Sequence, residues 1–259
     1  MSRIHPTAII SPEAVIGDNC EIGPFCIIKP NVKLGSNNIL MSNVVLDGNT
    51  TIGDGNKFFH SAVIGSDSQD LKAKDEPYQL IIGNNNSFRE FCTVNKSATM
   101  DEHTTIGDNC LLMAYSHIAH NCQIGNNVIM ANSVNLAGHC HLHDFVIVGG
   151  LTAIAQFVQI GVHAFVGGVS GIKKDIPPYT RGIGFPYKIE GLNIIGLQRK
   201  GFTPEQLQAI KDIYRIFYRS GLNISQAIEK AEQLKELTTE QKIFLDFIKN
   251  SRVGINRYR

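Results

Sequence analysis

Aliphatic residues return along this chain at every sixth position. From Ile4 the register reads Ile10, Ile16, Ile22, Ile28, Leu34, Leu40, Leu46, Ile52, Phe58 and Ile64, resumes at Ile82, Phe88 and Val94, and runs from Ile106 to Ile172. Four places after each aliphatic stands a mostly small residue, among them Ala8, Cys20, Cys26, Ala62, Cys110, Ser116, Cys122, Cys140, Ala164 and Ser170. A period of six fits neither an α-helix nor a long strand; it fits a short strand and a tight corner. Side chains alternate along a strand, so the aliphatic and the small residue two places before it both point inward. Asn19, Asn37, Asn49, Asn109 and Asn127 suit corners with a left-handed backbone, which Asn and Gly tolerate best.

The pattern resembles that of the hexapeptide-repeat proteins. The resemblance implies a mainly β fold, a left-handed parallel β-helix shaped as a triangular prism with three strands and ~18 residues per coil. Residues one coil apart should then stack ~4.8 Å apart. Breaks at 66–81 and 96–104 read as loops projecting from the prism. Beyond Ile172, Pro177-Pro178 and the Gly182, Gly184, Pro186 stretch make a breaker-rich connection. Thr203-Pro204-Glu205-Gln206 reads as a capped helix start, with Leu207, Ile210, Ile213, Tyr214 and Phe217 at helical spacing. A second helix fits Ser225 to Leu237 and a third starts near Thr239. The expected division is a β-helix over 1–187 and a C-terminal α-helical domain over 188–259.

Composition narrows the partners. The 259 residues carry a net charge of +1, which gives no reason to expect nucleic acid. No apolar run approaches the ~18 residues that span a membrane. The N-terminal stretch lacks a signal-peptide pattern, so a cytoplasmic location is expected. All six cysteines (Cys20, Cys26, Cys92, Cys110, Cys122, Cys140) fall on the small inward position and read as buried thiols. No CxxC spacing supports a zinc site, and no cofactor is expected.

Five of nine histidines lie within Ser116–His143, namely His117, His120, His139, His141 and His143. His117 and His120 are off both inward positions, so their rings should face outward. One coil above His120 stands Gly138 and one coil above that Gln156, which lines up a base, a bare backbone amide and a side-chain amide. That set suits acyl transfer: an imidazole can take a proton from a hydroxyl, and a backbone N–H can hold the developing oxyanion.

The stretches Ser116–Cys122, Leu136–His139, Gly149–Ala153, Gly167–Gly171 and Asp175–Tyr179 resemble the UDP-N-acetylglucosamine O-acyltransferases, as do Gln69–Lys72 and Asn193–Gly201. The resemblance spans nearly the whole chain. It implies the first reaction of lipid A synthesis, in which acyl carrier protein delivers a 3-hydroxyacyl chain to the 3-position of UDP-N-acetylglucosamine or of its 3-amino analogue. By that resemblance His120 is the general base and Gly138 the oxyanion-hole amide. Asp70 contacts the acyl 3-hydroxyl, and Gln69, Lys72, His117, His139 and Gln156 line the substrate pocket. Asn193 and Arg199 serve the nucleotide, where a guanidinium suits a diphosphate. Gly168 holds the position that limits acyl length; glycine there leaves an apolar groove open, so a chain of about C12–C16 is expected. Relatives of this kind are homotrimers with active sites between subunits, so a homotrimer is expected. Lys173, Lys174, Arg181, Arg215 and Arg219 are candidate docking charges for the acidic carrier protein.

Four positions depart from the family pattern: Asn121 stands where an Asp is usual, Asn95 and Ala155 where His is usual, and Ile195 where Glu is usual. The alternatives are another hexapeptide-repeat acyl- or acetyltransferase, a zinc enzyme like the γ-class carbonic anhydrases built on His117, His120 and His139, and a non-catalytic scaffold.

Overall fold

A computed structural model describes residues 2–74, 76–234 and 236–256. Two-residue strands follow one another at the six-residue register, each turning onto a new wall: Arg3–Ile4 on the first, Ile9–Ile10 on the second, Val15–Ile16 on the third. Repetition builds three walls of 11, 9 and 8 strands, parallel throughout except for the last strand of the first wall, the left-handed parallel β-helix that the repeat implied. Stacking follows the expected offset: His117 pairs with Asn135 and Ile118 with Leu136, and Asn135 in turn with Ala153. The inward positions fill the prism, where Cys122, Ile118, Leu136 and Ile154 are buried.

All six cysteines are free and buried. Burial pushes the Cys92 and Cys110 thiols up to about 11, so they remain protonated filler.

Asn19, Asn37, Asn109 and Asn127 do take the left-handed backbone at corners. Asn49 does not: it lies inside a strand, and Gly48 before it carries the positive φ. Bulky residues occupy the same conformation at the active end, including His139 (φ 59), Phe157 (φ 66) and Val169 (φ 55). Such residues avoid it without a compensating contact.

Two loops, 67–78 and 96–103, leave the prism where the second wall turns into the third, close to the expected breaks. At the far end Thr180–Ile183 extends the first wall, and Lys188–Leu192 pairs antiparallel with it, so the residues after 187 first complete the sheet. Four helices follow: α1 (Ile194–Arg199), α2 (Pro204–Tyr218), α3 (Ile224–Glu232) and α4 (Thr239–Lys249). The capping box of Thr203 and Gln206 opens α2 as read from sequence. The second predicted helix ends earlier than expected, at Glu232, capped by Gln233. Leu207, Ile210, Ile213, Phe217, Phe244 and Ile248 form the helical core. Buried Asp175 fastens the unit to the prism, accepting from the Gln159 N–H at 2.7 Å and the Ser251 hydroxyl at 2.6 Å. No described helix is long and apolar enough to cross a membrane.

Candidate active site

The chain leaves the second wall at His117–Ile118, turns through His120 and Asn121, and enters the third wall at Gln123. One coil on, Gly138 and His139 make the same turn, and Gln156 and Phe157 the next. The His139 N–H donates to the His120 carbonyl at 3.0 Å, and the Phe157 N–H to the Gly138 carbonyl at 3.2 Å. The column of His120, Gly138 and Gln156 expected from the spacing is therefore present.

The His120 ring is off the inward positions of the prism yet His120 is only 5% exposed, with Asn121, Gly138 and His139 packed against it. Its Nδ1 lies 2.9 Å from Asn121 Oδ1. Its other side rests on Gly138, where an added methyl would come within 2.5 Å of Nε2. No acceptor among the described residues takes the Gly138 N–H. A base nitrogen thus packs against a glycine whose amide has no acceptor among the described residues, a pairing that acyl transfer can use.

His139 meets the His120 ring edge-on at 5.2 Å, stacks on Phe157 at 4.9 Å, and sets its Nδ1 3.0 Å from Glu102 Oε2. His117 Nδ1 lies 2.8 Å from Thr93 Oγ1. Burial, and then the neighbouring His120, lowers the His117 pKa, so this imidazole is neutral at pH 7. Among the described residues no three His, Cys, Asp or Glu side chains are grouped to hold a metal ion.

Gln69, Asp70 and Lys72 ride on the loop that leaves the same edge lower down. Asp70 Oδ1 accepts the Lys72 N–H at 3.0 Å, a local turn cap, and Leu71 between them is fully exposed. Among the described residues no hydrogen bond or ion pair joins Gln69, Asp70 or Lys72 to His120.

Asn193 and Arg199 lie elsewhere. With Phe165, Arg181 and Ile195 they line a cavity of about 500 Å³ on the outer side of the first wall. In a triangular prism that wall lies opposite the edge carrying His120. Arg181, read from sequence as a docking charge, shares the cavity with Arg199. Gly168 sits on another edge, between first and second walls, packed on the Gly150 backbone. The outer face of the second wall separates it from His120, and there the small residues Ala153 and Gly171 pair.

Sequence reasoning missed Glu102, Phe157 and Thr93. Phe157 stands one coil above His139 and was readable from the register. Glu102 lies in an inserted loop outside the register, which left no signal. Of the departures, Asn95 is buried with its side-chain oxygen unpartnered among the described residues, Ala155 packs on the core, and Ile195 is exposed in the nucleotide-side cavity.

Residues 175–256 match the family model described as UDP N-acetylglucosamine O-acyltransferase, domain 2, and residues 103–138 match the bacterial transferase hexapeptide repeats. The acyl-[acyl-carrier-protein]–UDP-N-acetylglucosamine O-acyltransferase of Chlamydia caviae is 45% identical over 99% of this chain and 92% of its own length. That of Paraburkholderia phytofirmans is 43% identical over 99% of this chain and 100% of its own. Among solved structures, the UDP-N-acetylglucosamine acyltransferase of Francisella novicida superposes with a TM-score of 0.95 at 38% identity, covering 98% of this chain and 94% of that one. The Bacteroides fragilis enzyme gives 0.93 at 42% identity, covering 98% and 100%.

Proposed function

This chain belongs to the acyl-[acyl-carrier-protein]–UDP-N-acetylglucosamine O-acyltransferases, and from that premise we propose how its own residues perform the transfer. The protein is an acyltransferase that moves an acyl group from acyl carrier protein to an oxygen of UDP-N-acetylglucosamine. His120 Nε2 takes the proton from the sugar 3-hydroxyl as the oxygen attacks the thioester carbon. The carbonyl oxygen becomes an oxyanion held by the Gly138 N–H. Collapse expels the carrier thiolate, which recovers the proton from the His120 imidazolium. The observation that carries this reading is His120 Nε2 packed against Gly138, whose N–H has no acceptor among the described residues.

The acyl chain is a long 3-hydroxyacyl group, about C12–C16, running from His120 over Ala153 toward Gly168, with the Phe185 ring, packed on Gly171, bordering the path. Asp70 on its projecting loop takes the acyl 3-hydroxyl. Asn193 and Arg199 hold the uridine diphosphate. Because they face away from the His120 of their own chain, they serve the His120 of a neighbouring copy, in a homotrimer. The step opens lipid A synthesis in the cytoplasm.

The test is acyl transfer from 3-hydroxyacyl carrier proteins of graded length to UDP-N-acetylglucosamine and to its 3-amino analogue. Robust transfer of C12–C16 chains to the 3-hydroxyl, lost in His120→Ala, is expected. Undiminished transfer in His120→Ala would remove the base from the mechanism.

A further inference from the structure

Asn121 is fully buried, and its carboxamide meets a partner at every hydrogen-bonding position. Nδ2 donates to Thr99 Oγ1 at 2.9 Å and to the Glu102 carbonyl at 2.8 Å. Oδ1 accepts the Ala98 N–H at 2.9 Å and lies 2.9 Å from His120 Nδ1. The Glu102 carbonyl can only accept and the Ala98 N–H can only donate, so the amide has a single consistent orientation. Its oxygen faces His120. An amide oxygen carries no proton, so Nδ1 supplies the hydrogen and Nε2, over Gly138, keeps its lone pair.

We propose that Asn121 is a positioning residue that holds His120 in the Nδ1–H tautomer and, with the same amide, fastens the 96–103 loop to the catalytic edge. The proposal rests on the reading of His120 as the base. A carboxylate at 121 would orient the imidazole but has no hydrogen for the Glu102 carbonyl, and it would be buried with its charge uncompensated there. The asparagine that departs from the family pattern thus matches the acceptors of this chain's own loop. The loop in turn carries the Glu102 carboxylate that holds His139 Nδ1, and His139 meets His120 at 5.2 Å. One amide therefore sets both rings. The backbone of Asn121 (φ 56) favours Asn or Gly, but that preference alone asks for none of the side-chain contacts. The titratable groups facing His120 are His117, His139 and, through His139, Glu102.

The experiment compares the full-length wild type with Asn121→Gly, which tolerates the positive φ, and Asn121→Asp. Nitrogen-15 NMR of labelled histidine reads the tautomer, with the His120 signal identified by its absence in His120→Gln. Hydrogen exchange reads the loop, and steady-state assays separate kcat from KM. Wild-type His120 is expected as the Nδ1–H form. In Asn121→Gly the tautomers should mix, with kcat lowered about tenfold or more and KM moved less. Asn121→Gly should lose exchange protection at Ala98, whose N–H loses its acceptor, and Asn121→Asp, which keeps that acceptor but has no hydrogen for the Glu102 carbonyl, should lose protection across the rest of the 96–103 loop. An Nε2–H ring in the wild type, or an unchanged tautomer and kcat in Asn121→Gly, overturns the positioning role; unchanged loop protection in Asn121→Asp overturns the fastening. If His120→Ala keeps its transfer activity, the base reading fails, and the tautomer and exchange data still decide the structural claim separately.

Discussion

The imidazole of His120 lies directly on the backbone of Gly138, so closely that a single methyl at Gly138 would come within 2.5 Å of Nε2. No side chain other than hydrogen fits at that place without moving the base. Gly138→Ala keeps its N–H but displaces the base, so it is expected to lower kcat by about a hundredfold or more, the scale of a general base's contribution. The fold should survive, since Gly138 has no positive φ to protect. Steady-state kinetics and a thermal melt check both; near-normal kcat in a folded variant would detach Gly138 from the chemistry.

Acid should weaken the joint between prism and helices. His163 stacks on Phe145 at 4.6 Å and meets Phe202 edge-on at 5.1 Å. Burial, and then Lys200, pushes its pKa down to about 4; His141 is likewise pushed down to about 4 by burial and then His143. Between about pH 6.5 and 4 the unfolded chain binds more protons than the folded one, so stability falls with pH through that window. The full contribution is present above 6.5 and lost by about 4. Tm measured across this range should drop less steeply in His163→Phe than in the wild type. Parallel curves would remove His163 from the acid response.

Gly168 faces the end of the proposed acyl groove. Gly168→Met is expected to shift the preferred donor toward shorter chains, with little loss of kcat on the short ones. Competition among carrier proteins of graded chain length measures this. An unchanged preference would mean that the chain ends elsewhere.

The prism was legible because its physics is periodic: one inward aliphatic per six residues defines wall, corner and coil, and the same count placed Gly138 above His120. What the period does not reach stayed hidden. Glu102 and the acceptors that surround Asn121 sit in a loop outside the register, so neither the His139–Glu102 contact nor the reason for an asparagine could be counted out. The bulky corner residues His139 and Phe157 break the Asn and Gly rule, held by stacking on each other that only coordinates reveal. Lys188–Leu192 falls within the expected helical domain because an antiparallel closing strand follows no repeat. The separation of Arg199 from His120 was equally invisible, since sequence motifs carry no account of which wall they face.

That separation gives the most direct measurement of the central claim, a site assembled from the His120 edge of one copy and the Asn193–Arg199 cavity of the next. His120→Ala and Arg199→Ala, each severely impaired alone, would be co-assembled in equal amounts and assayed for acyl transfer. Random mixing leaves about a quarter of shared sites with both residues intact, so the mixture should recover about a quarter of wild-type activity. A mixture no more active than its two parents would show that His120 and Arg199 do not meet across subunits, and would contradict the account.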